Sequence, residues 1–416
     1  MKAEYDVVVI GGGLSGYVAA ARAAERGKRV LLLTDGLGSF PFLPGHIDVW
    51  GWAPLEKSPM VLDPVQGIGE YLRSQPDHPW GRLLDVLKES MEFFRTVCGS
   101  QGLVYNPAAG RNIMVPTPLG MARPAFMAPE SQYVPGWDAA DKVLVVGLAE
   151  YKDFFPLAVA QGIAGSRPAR DVRTLTVSLG LPRHVDSFTL AGYLERDECR
   201  EVFLNRVADA ADGRSLILVP AVFGLEAAAK VLSSVKESLG VPLMEVSTLP
   251  PSVPGLRIYA ALRRWVMSRG VTVTANVRVN GAWFSNNGCA GVTACISGRE
   301  HKFAASSFVL ATGSFVSSGY SWQGGQPVEP VMGLPVTLPR EGIEGVDGPF
   351  LDGKGKDFMR VGIEVDDNLN PTGPSGEVIC KNVFITGSKL AGYDFSVEKS
   401  GTGIAVASGY KAGNLA

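Results

Sequence analysis

An α/β fold built on parallel sheet is predicted by three observations. The chain begins with a β-branched run, Tyr5–Ile10, that passes directly into Gly11-Gly12-Gly13-Leu14-Ser15-Gly16 and then into a helical stretch, Tyr17–Arg26. Apolar strand-like runs alternate with helical segments between residues 142 and 249. Two further apolar runs toward the end of the chain, Phe308–Gly313 and Val383–Gly387, each finish on glycine.

The composition supports a folded chain with a large core. Of 416 residues 46% are hydrophobic and 19% charged, and there is no low-complexity tract. Fifty glycines imply many tight turns and close backbone approaches. Lys and Arg total 39 against 41 Asp and Glu, so the net charge is -2 and gives no electrostatic footprint for nucleic acid. Cys98, Cys199, Cys289, Cys295 and Cys380 are scattered, with no C-x-x-C, so neither an iron–sulfur cluster nor a zinc or other metal site is expected. Free thiols of this kind fit a reducing cytoplasm. No apolar run reaches 18 residues, and Val7–Ile10 is too short for a signal-peptide core. Attachment to a membrane would therefore need a partner.

Taken in order, Tyr5–Ile10 reads as a buried parallel strand, and Tyr17–Arg26 as a helix ending at Gly27. Lys28–Thr34 is a second buried strand. Residues 36–135 are rich in Gly and Pro, with a helical pattern inside Trp80–Val97 and a turn at Pro116–Gly120. The regular part follows: strands at Lys142–Gly147, Val172–Leu179, Ser215–Val222 and Pro242–Leu249, and helices at Lys152–Ala164, within Ser187–Val207, and at Leu225–Leu239. A proline-rich junction, Thr248–Gly255, leads to a helix at Leu256–Ser268 and a strand at Val271–Thr274. Short strands around Gly281, Gly288 and Gly298 suggest a β-meander. Strands at Ser307–Gly313 and Asn382–Thr386 and a small-residue helix at Ile404–Lys411 complete the chain.

Gly11-x-Gly13-x-x-Gly16 has a physical task. The first glycine allows the turn out of the strand, the second lets backbone approach a phosphate, and the third lets helix and strand pack closely. The helix N-terminus adds free N–H groups and a partial positive charge. This predicts a Rossmann-like dinucleotide or flavin site. The end of the second strand, where an acid would bind the ribose of an adenine dinucleotide, carries Thr34, with Asp35 one residue later. A threonine hydroxyl is a weaker, neutral partner for ribose. Asp35-Gly36 also reads as a plain turn.

The glycine-ended runs at 308–313 and 383–387 look like the paired return strands of two-domain flavoproteins. The helix opening at Gly401 would point its N-terminus at the flavin pyrimidine, where a helix dipole stabilises negative charge. The expected organisation is a discontinuous Rossmann-like flavin-binding domain (1–60, 250–319 and 379–416). An inserted cap region (61–249) holds a smaller α/β lobe at about 142–249, and a loop-rich cap segment covers 320–378. Candidate cofactor-binding residues are Gly11, Gly12, Gly13, Leu14, Ser15, Gly16, Thr34, Asp35, Gly45, His46, Thr312, Gly313, Gly387, Ser388, Gly401, Thr402 and Gly403. His46, in Pro44–Asp48, is also a candidate proton donor near flavin N5. Arg123 and Arg257 are candidates for binding an anionic substrate. His184, His301 and the Arg263-Arg264 pair read as structural or exposed.

Several segments together carry a family resemblance: Val9–Gly16, Pro118-Leu119-Gly120, Leu218–Leu225, Thr248–Val253, Glu329–Leu334 and Phe384–Ser388. With these, the chain resembles, nearly end to end, the B subunits of anaerobic glycerol-3-phosphate dehydrogenase. The resemblance implies an oxidoreductase component of a complex that oxidises glycerol 3-phosphate to dihydroxyacetone phosphate and passes electrons toward quinone. It implies two partners: the catalytic flavoprotein, or A, subunit, and an iron–sulfur, or C, subunit that docks the soluble pair on the inner face of the cell membrane. It also implies FMN as cofactor, whereas the glycine loop, suited to a pyrophosphate, points to FAD. No base-plus-phosphate-clamp constellation stands out, so electron relay is expected rather than substrate chemistry. The alternatives are a non-catalytic scaffold with a flavoprotein fold and a self-sufficient, fumarate-reductase-like flavin dehydrogenase.

Overall fold

A computed structural model describes residues 4–53, 60–106, 110–166, 170–285, 288–339 and 355–416. In chain order its first elements are β1 (Tyr5–Ile10), α1 (Leu14–Glu25), β2 (Val30–Thr34), α2 (Pro64–Leu72), α3 (Leu87–Ser100), β3 (Ile113–Pro116) and β4 (Ala122–Ala125). Next come β5 (Lys142–Leu148), α4 (Pro156–Ser166), β6 (Asp171–Val177), α5 (Ser187–Leu194), α6 (Asp197–Ala211), β7 (Leu216–Pro220), α7 (Ala228–Leu239) and β8 (Leu243–Val246). They are followed by α8 (Val253–Ser268), β9 (Thr272–Ala275), β10 (Arg278–Ser285), β11 (Gly288–Ile296) and β12 (Arg299–Leu310). The last are β13 (Ser321–Gln323), β14 (Gln326–Val328), β15 (Val383–Ile385), α9 (Phe395–Glu398) and α10 (Gly401–Leu415). The chain divides into two compact units.

The first unit comprises the described residues of Met1–Ser39, Asp48–Val97 and Leu262–Ala416. Its parallel sheet runs β9-β2-β1-β12-β15, so the strand order reverses beside β1. Val7, Val8 and Val9 have no exposed surface, as a central parallel strand covered on both faces requires. The predicted meander and the predicted strand at 307–313 share one element. The first half of β12 pairs antiparallel with β11 from Arg299 to Ala304, and the second half pairs parallel with β1 from Ala305 to Leu310. Gly281 lies within β10, beside a shift in its register with β11. Helix α10 packs on α1 through glycine: a methyl group on Gly409 or Gly413 would lie 2.4 Å from Ser15 O or Ala19 O. The small residues of both helices are therefore what lets them approach.

The second unit comprises Phe40–Ile47 and the described residues of Cys98–Ala261. Its four-stranded sheet, β6-β5-β7-β8, is wholly parallel. A core of Val143–Val146, Leu216–Val219, Phe203 and Phe223 lies between the sheet and its helices. The predicted turn at 116–120 joins β3 to β4 as a hairpin.

Several boundaries differ from the sequence expectation for identifiable reasons. Helix α4 starts at Pro156 rather than Lys152, because proline suits the first helical turn, where an N–H is unneeded. Helix α7 starts at Ala228 rather than Leu225, since the N–H groups of Leu225, Glu226 and Ala227 all donate to the Glu195 carboxylate. Within Trp80–Val97, two 3-10 turns at Pro79–Arg82 and Leu84–Val86 precede α3. Helix α2, capped by Asp63 and opened by Pro64, was not expected. Residues 54–59 and 107–109 of the Gly/Pro-rich stretch, 286–287 of the meander and 340–354 of the loop-rich segment lie outside the described residues.

Candidate functional site

The glycine loop leaves β1 at the point of order reversal, where open parallel sheets place their ligands. Its four glycines have different duties. Gly11 sits at φ +112°, and a methyl group there would come 2.3 Å from Ala311 O. A methyl on Gly12 would meet Thr34 Oγ1 at 2.1 Å, and one on Gly16 would meet Gly11 O at 2.0 Å. These three are demanded by packing. Gly13 is not: its backbone is extended, and a methyl there meets nothing nearer than Ser39 Oγ at 4.0 Å. It caps α1 with no side-chain hydrogen bond, beside Leu14 and Ser15, which are buried. Gly38 lies against this turn, where a methyl would be 2.8 Å from Gly13 Cα. The Gly38-Ser39 pair is thus part of the loop's surroundings, which the sequence reading missed.

The ends of β12 and β15 meet the loop. Ala311 N–H donates to Ile10 O at 2.8 Å. A methyl on Gly313 (φ +81°) would be 3.5 Å from Ser388 Oγ, and one on Gly387 (φ +64°) would be 2.6 Å from Ser15 Oγ. Gly387 N–H donates to Ser408 Oγ at 2.9 Å, which ties α10 to the same place. The structure therefore brings together Gly11–Gly16, Thr34, Thr312, Gly313, Gly387 and Ser388. Two buried hydroxyls here, Thr312 Oγ1 and Thr386 Oγ1, have no hydrogen-bond partner among the described residues. Buried polar atoms left in this way normally belong to a ligand or water.

At the end of β2 the Thr34 hydroxyl is already engaged. It donates to Gly36 O at 2.5 Å and accepts from Gly36 N–H at 3.3 Å. Asp35 pairs with Arg278 at 2.8 Å. Both side chains of this pair are largely exposed, so it is a weak and exchangeable ion pair. Arg278, on β10, was not anticipated from the sequence.

The N-terminus of α10 is held against residues 48–49 of the chain. Asp48 N–H donates to Thr402 Oγ1 at 2.7 Å, and Gly403 N–H donates to Asp48 O at 2.8 Å. A methyl on Gly403 would lie 2.5 Å from Asp48 O, and one on Gly401 would lie 2.9 Å from Phe395 Cβ. The turn before the helix is fixed by buried Glu398, which accepts from Asp394 N–H, Ser400 Oγ and His78 Nε2. His78 Nδ1 accepts from Trp80 N–H, so the proton is on Nε2, facing Glu398.

Gly45 and His46 belong to the second unit. Gly45 is at φ +102°, where a methyl would meet Gln132 Oε1 at 2.2 Å, and its carbonyl accepts from Tyr105 Oη at 2.6 Å. His46 is buried, and burial together with the nearby Arg123 charge holds its pKa well below the ordinary value. It is a neutral imidazole at pH 7. Arg257 is not available to an anionic substrate. It is buried, bidentate to Glu245 at 2.5 and 2.9 Å, and donates to Gly224 O at 2.8 Å. His184, His301, Arg263 and Arg264 are exposed. Among the described residues no cluster of His, Cys, Asp or Glu could hold a metal ion. None of the described helices is long and apolar enough to cross a membrane.

Residues 6–404 match the family described as FAD binding domain. The B subunit of anaerobic glycerol-3-phosphate dehydrogenase from Vibrio cholerae serotype O1 is 28% identical, over 98% of this chain and 95% of its own length. The B subunit of the Pectobacterium carotovorum enzyme is 30% identical, over 97% of this chain and 96% of its own. Among solved structures, the open conformation of a flavocytochrome c3 fumarate reductase aligns with a TM-score of 0.45 and 10% identity, covering 99% of this chain and 78% of that one. The chain belongs to the FAD binding domain family and to the family of anaerobic glycerol-3-phosphate dehydrogenase B subunits.

Proposed function

We propose that this chain is the flavin-carrying subunit of a quinone-linked glycerol-3-phosphate dehydrogenase complex, and that its cofactor is FAD. The observation that carries the cofactor reading is Gly13. It is the one glycine of the Gly11–Gly16 loop that the chain's own packing does not require, and it stands at a helix N-terminus. The unpartnered hydroxyls of Thr312 and Thr386 fit a polar ligand at the same place.

The residues of the first unit that would hold the cofactor are Gly11–Gly16, Thr312, Gly313, Gly387 and Ser388, with Gly401–Gly403 as further candidates. Bound flavin would supply reversible one- and two-electron chemistry. The chain's own contribution is positional. Gly13 leaves room for a phosphate, α1 offers its positive end, and the threonine hydroxyls offer hydrogen bonds. Asp35, paired at the surface with Arg278, remains a further candidate for the adenosine half. Mass spectrometry of the acid-released cofactor tests this. FAD is expected; FMN would overturn the FAD reading while keeping the flavin-carrying role.

Within the complex the chain is assigned to electron relay. It would stand between the catalytic flavoprotein, or A, subunit, and the iron–sulfur, or C, subunit that anchors the pair at the inner face of the cell membrane. The commitment of Arg257 to Glu245 supports this, since it removes one of the chain's few candidate clamps for a phosphorylated substrate.

A further inference from the structure

We propose that Lys389 is a positioning residue of the flavin site, its buried ammonium joining the ends of β12 and β15 into one wall. The proposal rests on the FAD reading above. Lys389 closes the single turn Gly387–Lys389 that follows β15, and its side chain has no exposed surface. Its Nζ donates to Gly319 O. Gly319 in turn lies flat on the other strand end: its N–H donates to Ser314 O at 2.8 Å, and a methyl there would lie 2.8 Å from Thr312 O. The ammonium therefore reaches from the Gly387–Ser388 side to the Thr312–Gly313 side.

Two groups complete its shell. Glu329 Oε1 is 3.6 Å away, and the Glu329 carboxylate also accepts from Val331 N–H at 3.1 Å and Met332 N–H at 2.6 Å. The Tyr320 ring lies under the ammonium, 3.9 Å from centroid to Nζ, and Tyr320 Oη donates to Lys389 O at 2.7 Å. An apolar pair would fill this space at no desolvation cost, whereas a buried ion pair costs several kcal/mol per ion before its attraction is counted. Its cation stands beside strand ends proposed to receive an anionic cofactor, where a fixed positive charge acts in a low dielectric.

Burial lowers the Lys389 pKa to about 8, with Glu329 opposing the shift. The titratable groups facing it are Glu329 and Tyr320, and burial pushes the Tyr320 phenol well above its ordinary value, with Glu329 and Tyr393 adding to the rise. Between pH 7 and 9 Lys389 is therefore the group of this cluster expected to change charge.

The test is FAD titration of the full-length apoprotein, followed by flavin fluorescence at pH 7 and pH 9, for the wild type, Lys389→Met and the double variant Glu329→Gln with Lys389→Met. The double variant leaves no unpaired buried charge and keeps the fold. The expected result is wild-type affinity that falls severalfold, by up to about tenfold, from pH 7 to 9. Both variants should bind at least about tenfold more weakly at pH 7 and show no such fall. A folded variant that binds FAD like the wild type overturns the assignment. So does wild-type affinity that is unchanged between the two pH values, whether or not the variants fold. A wild-type chain that takes up no FAD at either pH overturns the FAD reading and this one together.

Discussion

Gly313 and Ser388 face each other across the ends of two parallel strands, close enough that a methyl on the glycine would be 3.5 Å from the serine hydroxyl. Gly387, next to Ser388, is tighter still against Ser15 in the first turn of α1, where a methyl would be 2.6 Å from Ser15 Oγ. Segments far apart in sequence thus form one surface around the N-terminus of a helix.

That surface separates two kinds of glycine. Gly13→Val should keep the fold, since its backbone is extended and its surroundings are open, and should lose bound flavin. Gly16→Val should destabilise the first unit, because the methyl groups would run into the Gly11 carbonyl; a loss of about 3 kcal/mol is expected. Thermal melting and the flavin absorbance of the purified variants check both. Full flavin occupancy in Gly13→Val would remove the loop from the site.

His46 gives a prediction in pH. Its folded pKa lies well below the unfolded value, so the unfolded chain binds the proton more readily. Stability is then fully present above about pH 6.5 and falls as the pH drops below it. His46→Gln should flatten that fall, as read from melting temperatures at pH 7.5 and 5.5.

Arg257 should matter to stability and not to substrate affinity. Arg257→Met strands the Glu245 carboxylate in the core of the second unit and should cost about 3–5 kcal/mol. Arg257→Met combined with Glu245→Gln should recover most of the loss. Urea denaturation of the three proteins measures this, and a single variant as stable as the wild type would contradict it.

The relay assignment predicts that the purified chain oxidises glycerol 3-phosphate poorly with a soluble dye acceptor. Activity should appear on co-expression with a flavoprotein dehydrogenase partner. Equal rates for the isolated chain and the reconstituted complex would favour a self-sufficient enzyme.

What could be read from the sequence was what is local and periodic. The run Tyr5–Thr34 shows a strand, a glycine turn, a helix and a strand in the order in which they fold. The alternation from 142 to 249 gave the second sheet. Residues joined only in three dimensions could not be read. Four glycines of one loop look alike in sequence, yet three are there for contacts with Ala311, Thr34 and Gly11, and one is not. Arg257 read as an available cation because Glu245 lies on another element. Lys389 carried no signal at all without Glu329 and Gly319. Strand β12 was divided in two because its first half is largely exposed and its second half buried, although the backbone is continuous.

The register of β1 has a consequence for how the protein is made. Val7 pairs with Ser307 on one side and Val30 on the other, and β12 is in turn completed by β15. A nascent chain leaving the ribosome can finish the β5–β8 sheet from one contiguous stretch. The glycine loop must wait, although it precedes that stretch, because its partners β12 and β15 follow it in the chain. Contacts of such long range are slow to close. Until β12 is made, the apolar strand Tyr5–Ile10 is an open edge in need of protection, and cofactor loading belongs after β12 and β15 have joined the sheet.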